Sequence, residues 1–136
     1  MDYSREEGID YAKKSNPIFV SRASAKEKLM GKKESEFQAK LIKEIKERFP
    51  GSMVLKNDAN YIQGIPDLMV LYKDHWAALE CKASKTANKQ PNQPYYISRM
   101  NEMSFASFID PDNKEEVLNE LERSFETSRK ACDLES

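Results

Sequence analysis

Apolar residues fall into periodic runs from about residue 35 onward. Phe37, Leu41, Ile45 and Phe49 recur every four residues, with Ile42 alongside, which is the stripe of an amphipathic helix. Ser35-Glu36-Phe37-Gln38 has the Ser-x-x-Gln form of a capping box, so the helix is predicted to begin there. Pro50-Gly51 stops it. Residues 52–56 (SMVLK) read as a strand and 57–64 as a loop. Residues 66–72 (PDLMVLY) and 75–81 (HWAALEC) read as two further strands joined by a tight turn at Lys73-Asp74. Residues 83–94 form a polar loop, 95–103 a helix and 104–109 (SFASFI) a short strand. After the break at Asp110-Pro111-Asp112, residues 114–129 form a last helix carrying Val117, Leu118, Leu121 and Phe125 on one side. The order αβββαβ plus a C-terminal helix predicts an α/β sandwich around a mixed sheet. Residues 1–33 lack apolar periodicity and are expected to be a mobile basic arm, with a helical piece near 23–30; residues 130–136 are expected to be a tail.

A length of 136 residues suits one domain. The net charge of −1 weighs against a uniformly basic nucleic-acid-binding surface. The charges are segregated, however. Lys13, Lys14, Arg22, Lys26, Lys28, Lys32 and Lys33 lie in the first third, and acids dominate from Glu115 onward, so a basic surface is compatible with the balanced total. No run of about 18 apolar residues suggests a membrane span, and no signal-peptide core is visible. Cys81 lies in an apolar run and Cys132 in a polar tail, so no disulfide framework is expected. A cytoplasmic setting, in a bacterial or phage-infected cell, is the expectation.

The hairpin contains the chemistry. A two-residue turn at 73 and 74 sets Asp67 opposite Glu80, with Cβ atoms ~4.5–5.5 Å apart, and Lys82 on the same face. The same register pairs Met69 with Ala78 and Leu71 with Trp76; the other face pairs Leu68 with Leu79 and Val70 with Ala77. Both faces are apolar enough to suggest a strand pair buried on both sides. Opposed carboxylates in such a place are costly unless positive charge joins them. Mg²⁺, with its preference for oxygen ligands, would supply it, and Lys82 would add charge beside it. The spacing is equally compatible with a plain lysine–carboxylate ion pair, one acid turned to solvent.

Gly64-Ile65-Pro66-Asp67, then twelve residues, then Glu80-Cys81-Lys82 resembles the PD-(D/E)xK nuclease signature. The stretch GIPDLMVLYKDHWAALECKAS is similar to the matching stretch of archaeal Holliday junction resolvases and of VRR-NUC type phage nucleases. The resemblance covers roughly residues 34–125. It implies a restriction-endonuclease-like core and a Mg²⁺-dependent DNA endonuclease, with Mn²⁺ able to substitute. Asp67, Glu80 and Lys82 would be catalytic, Asp67 and Glu80 holding the metal. It further implies a metal-approaching glutamate in the first helix, for which Glu36 is the candidate and Glu34 the weaker competitor. It implies a glutamine opening the helix after the lysine loop, with Gln93 ahead of Gln90, and a metal contact from the backbone carbonyl of Cys81, whose side chain is expected in the core.

Lys56, Lys85, Lys89 and Arg99 are candidate phosphate contacts, and Tyr61 and Gln63 candidates to line the DNA groove. His75 is expected away from the metal and Trp76 in the core. The expected partner is DNA, branched DNA included; cutting a junction symmetrically would need a homodimer. A nonspecific or nicking nuclease and a non-catalytic DNA-binding module are the alternatives.

Overall fold

A computed structural model describes residues 25–135, so most of the arm expected at 1–33 lies outside the described residues. The chain divides into two units, Met1–Lys32 and Lys33–Ser136; the site and core described below belong to the second. Helix α1 spans Ala25–Arg48, so Ser35 is interior and caps nothing. The predicted helix start at Ser35 is corrected: Ala, Lys, Glu, Leu and Met dominate residues 25–36. Their helix propensity outweighs the roughly 1 kcal/mol cost of Gly31 and the smaller cost of a serine.

Strands β1 (Met53–Lys56), β2 (Leu68–Tyr72) and β3 (His75–Cys81) follow, then helix α2 (Gln93–Met103), strand β4 (Phe105–Ile109) and helix α3 (Lys114–Glu135). Strand β2 begins at Leu68 rather than at Pro66, which has no N–H to offer a ladder. Helix α2 opens two residues early, at Gln93, with Pro94 in the first turn where its missing N–H costs nothing. Helix α3 runs through the segment expected as a tail, because no Gly or Pro interrupts residues 130–135. The four strands form one mixed sheet in the order β1-β2-β3-β4. The β1–β2 and β2–β3 pairs are antiparallel and β3–β4 is parallel. The hairpin register runs from Leu68↔Leu79 to Tyr72↔His75, as the two-residue turn requires. Lys73 makes that turn at φ 56.

Alternation splits the sheet into two unlike faces. Leu68, Val70, Ala77, Leu79, Cys81 and Ile109 meet Leu41, Ile45 and Phe49 of α1 and Val117, Leu118, Leu121 and Phe125 of α3 in the core. Burying each large side chain contributes about 1.5–3 kcal/mol. Phe49, Tyr72 and Phe125 close the core at the turn end, with ring centroids 5.3–5.5 Å apart. His75 stacks on Phe125 there, at the opposite end of β3 from Glu80. On the other face α2 packs along β3 and β4, and Asn101 Oδ1 accepts the Ala106 N–H (3.0 Å). Burial on both faces therefore holds for the β3 residues from Ala77 to Cys81. It holds only in part for β2, where Met69, Leu71 and Tyr72 are half-buried, and β1 leaves Met53 and Leu55 exposed. No helix among the described residues is long and apolar enough to cross a membrane.

Candidate functional site

The loop before β2 is held at both ends of its approach to Asp67. Asn57 donates its N–H to the Asp67 carbonyl and its side-chain amide to the Pro66 carbonyl, both at 2.8 Å. Asp67 thus continues the hairpin one residue beyond the ladder, opposite Glu80. Its Oδ2 accepts the backbone N–H of Cys81 (2.9 Å). Glu80 is 3% exposed and Lys82 7%. Glu80 Oε2 accepts from Gln93 Nε2 (3.0 Å) and lies 3.7 Å from Lys82 Nζ. Lys82 donates to Gln93 Oε1 (2.7 Å) and to the Asn88 carbonyl (3.1 Å), and Gln93 Oε1 also accepts the Gln90 N–H (2.9 Å). Donors on one side of the Gln93 amide and a carboxylate on the other fix its orientation. Gln93 therefore ties the lysine to the glutamate.

Glu80 Oε1 is buried and has no hydrogen-bond partner. The carboxyl group beside it is that of Asp67, close enough for a hydrogen bond once one of the two is protonated. Burial, then the Asp67 charge, push the Glu80 carboxyl up to about 8, against the pull of Lys82. Burial also raises Asp67, although the Cys81 N–H, the Glu80 carboxyl and Lys82 act the other way. Burial and their mutual repulsion thus favour the neutral form of both carboxyls, Glu80 above all.

Glu34 joins this electrostatic cluster from α1. Burial and then the Asp67 charge raise its carboxyl, and Lys82 lowers it. Gln38, one turn along, reaches the Cys81 thiol, which burial pushes upward. Among the described residues no three His, Cys, Asp or Glu side chains converge on one point. The close pair is Asp67 and Glu80, with Glu34 acting through space. A hard divalent cation suits that donor set: two carboxylates, one with a buried oxygen that no donor satisfies.

The expectation that Glu36 approaches the metal site is corrected. Glu36 is exposed and lies two residues round the helix from Glu34. It lines a cavity of about 380 Å³ with Phe37, Lys40, Pro111 and Lys114, not the carboxylate pair. Glu34, Gln38, Leu41, Ile45 and Phe49 form one stripe of α1, and that stripe faces the sheet. Lys56 pairs with Leu68, so it sits on the core side of the sheet and not beside Asp67. The Arg99 guanidinium is engaged by Glu102 on the surface of α2 (3.1 Å). Lys89 lies over the Phe108 ring, 4.2 Å from its centroid, and Phe108 neighbours Glu80 in the β3–β4 register. Lys85 is exposed in the loop after Lys82, and Tyr61 and Gln63 are exposed in the loop before Asp67. The Gln63 carbonyl accepts from Asn92 (3.4 Å), so the two loops meet. The Cys81 N–H donates to Asp67 Oδ2, and the Cys81 side chain is in the core. Asn88 was missed; a loop residue acting through its carbonyl leaves no signal in the sequence.

Fold and site together define an α/β protein with a mixed four-stranded sheet and a buried carboxylate–lysine cluster at one strand end. No family model, no curated protein and no solved structure matches the chain.

Proposed function

We propose that this chain is a metal-dependent DNA endonuclease of the PD-(D/E)xK type on a restriction-endonuclease-like core. One observation carries the reading: Glu80 Oε1 is buried beside Asp67 without a donor, while Lys82 is held against the other oxygen. Asp67 and Glu80 would hold Mg²⁺ or Mn²⁺, with Glu34 adding negative charge nearby and the Cys81 carbonyl available as a further oxygen. When bound, the ion would supply the positive charge that polarises a phosphodiester and activates water.

The chain's own residues do the rest. Gln93 fixes the Lys82 ammonium through Oε1 and holds Glu80 through Nε2, so both groups keep one position without reorganising during reaction. Lys82 would place its charge beside the scissile phosphate. Lys85 and Lys89, on the loop after it, would neutralise neighbouring phosphates. The preferred DNA form is proposed to be branched, with a homodimer serving paired cuts and nonspecific nicking as the alternative within the enzyme class.

Cleavage of four-way, flapped, linear and single-stranded DNA in Mg²⁺ or Mn²⁺ tests the proposal. Asp67→Asn, Glu80→Gln and Lys82→Ala should each lower the rate by at least about 100-fold while leaving the fold intact. Cleavage that survives all three substitutions, or a folded wild type that cuts no DNA form, defeats it. The absence of a third converging ligand supports a second reading, a DNA-binding module whose carboxyl pair stays protonated; that module would bind DNA and cut none.

A further inference from the structure

Lys82 is the group that the nuclease reading sends to a phosphate, yet it is closed off from one. Only 7% of the residue is exposed. An ammonium has three N–H donors. One goes to Gln93 Oε1 (2.7 Å) and one to the backbone carbonyl of Asn88 (3.1 Å), and Glu80 Oε2 lies 3.7 Å from the same nitrogen. The Asn88 contact comes from the polar loop 83–92, which runs from Lys82 to the start of α2. Two further contacts pin that loop over the lysine. The Gln90 N–H donates to Gln93 Oε1 (2.9 Å), the same atom that accepts from Lys82. Lys89 lies over the Phe108 ring, 4.2 Å from its centroid, and Phe108 sits beside Glu80 in the β3–β4 register. Residues 88, 89 and 90 thus meet in turn the ammonium, the ring next to Glu80 and the Gln93 amide.

A buried ammonium cannot offer a phosphate oxygen the N–H that a carbonyl already holds. The loop that holds it is a different matter. Asn88, Lys89 and Gln90 are exposed, and the three contacts replace the ladder and core packing that secure a strand. Such segments open locally well before the fold does. The Lys89 contact is also the one that substrate can compete for, since a phosphate draws a lysine charge more strongly than an aromatic face does. We propose that residues 83–92 form a lid, closed by the Asn88 carbonyl on Lys82 and by Lys89 on Phe108, which lifts before the Lys82 ammonium meets a phosphate. The destination of Lys82 rests on the nuclease reading above; the lid adds the step that precedes it. An arriving phosphate backbone takes Lys89 from Phe108, the Asn88 carbonyl follows, and the ammonium is uncovered, so the site stays shut until substrate is present.

Trace acetylation of lysines with acetic anhydride, on the full chain in EDTA and mapped by mass spectrometry, reads the lid without cleavage. Lys82 should react at least about tenfold more slowly than exposed Lys85. Phe108→Leu removes the ring under Lys89 and none of the hydrogen bonds of Lys82. It should speed the reaction of Lys82 about two- to fivefold and leave Lys85 unchanged. Lys89→Met, a surface change that spares the sheet, should do the same, and the double variant should add nothing further. Lys82 reacting as fast as Lys85, or staying equally protected in wild type and both variants, overturns the lid. With DNA in Mg²⁺, Phe108→Leu should raise kcat/KM by a similar factor; faster labelling without that rise overturns the gate. A wild type that cuts no DNA defeats the nuclease reading, while the labelling alone still decides whether the lid exists.

Discussion

Burial and the neighbouring Asp67 charge disfavour a negative charge on Glu80 despite Gln93 and Lys82. Its Oε1 lacks a donor and its carboxyl is raised to about 8 from an ordinary 4.5. Between those values the folded protein holds a proton that the unfolded chain has released. The stabilisation is complete below about 4.5 and is lost as pH climbs through about 8, by at most about 1.4 kcal/mol per pH unit for one proton. Asp67 and Glu34, also raised, act in the same direction. Urea denaturation without metal should therefore show stability falling across this window, with a flatter profile for Glu80→Gln; a flat wild-type profile contradicts the assignment. The Asp67–Glu80–Lys82 grouping was legible in the sequence because a two-residue turn and the period of two leave one register for the hairpin. Glu34 ranked only as the weaker competitor because a capping-box reading began the helix at Ser35. Counting back along the stripe from Leu41 to Gln38 and Glu34 was the signal that reading hid.

The phase of α1 decides which acid serves the site. Glu34→Gln should weaken metal-dependent cleavage about 10–100-fold, as substitution of a group supporting a metal site does. Glu36→Gln, on the exposed side, should leave the rate near that of wild type. Parallel rate measurements decide this, and the reverse ranking would mean α1 is rotated relative to the sheet. Gly64 is the corresponding point for the loops. Gly64→Ala would strain a φ of +91 and drive a methyl into Asn92, displacing Gln93 from Lys82. It should lower both thermal stability and cleavage, while Gly51→Ala, with open space around it, should spare cleavage. The strands of the sheet were legible from their apolar runs. The far ends of α1 and α3 were not, because helix propensity carries both through polar stretches without an apolar stripe to mark them.

For the molecule as a whole, the two sheet faces carry different loads, with Glu34 of α1 the link between them. One face joins α1 and α3 in the core; the other carries Glu80 and Lys82 under the start of α2. Leu118→Ala in the core should cost about 2–5 kcal/mol in denaturant unfolding yet leave metal affinity intact in the folded fraction. The openness of β1 was not legible, since the sequence gives strand faces but not which helices cover them. In the proposed reading a divalent cation binds between Asp67 and Glu80 and offsets the cost of their closeness. Calorimetric titration with Mn²⁺ at neutral pH tests it most directly: wild type should bind with release of a proton, and Asp67→Asn and Glu80→Gln should lose that binding. A folded wild type that takes up no ion, or variants that bind it as tightly, would contradict the claim.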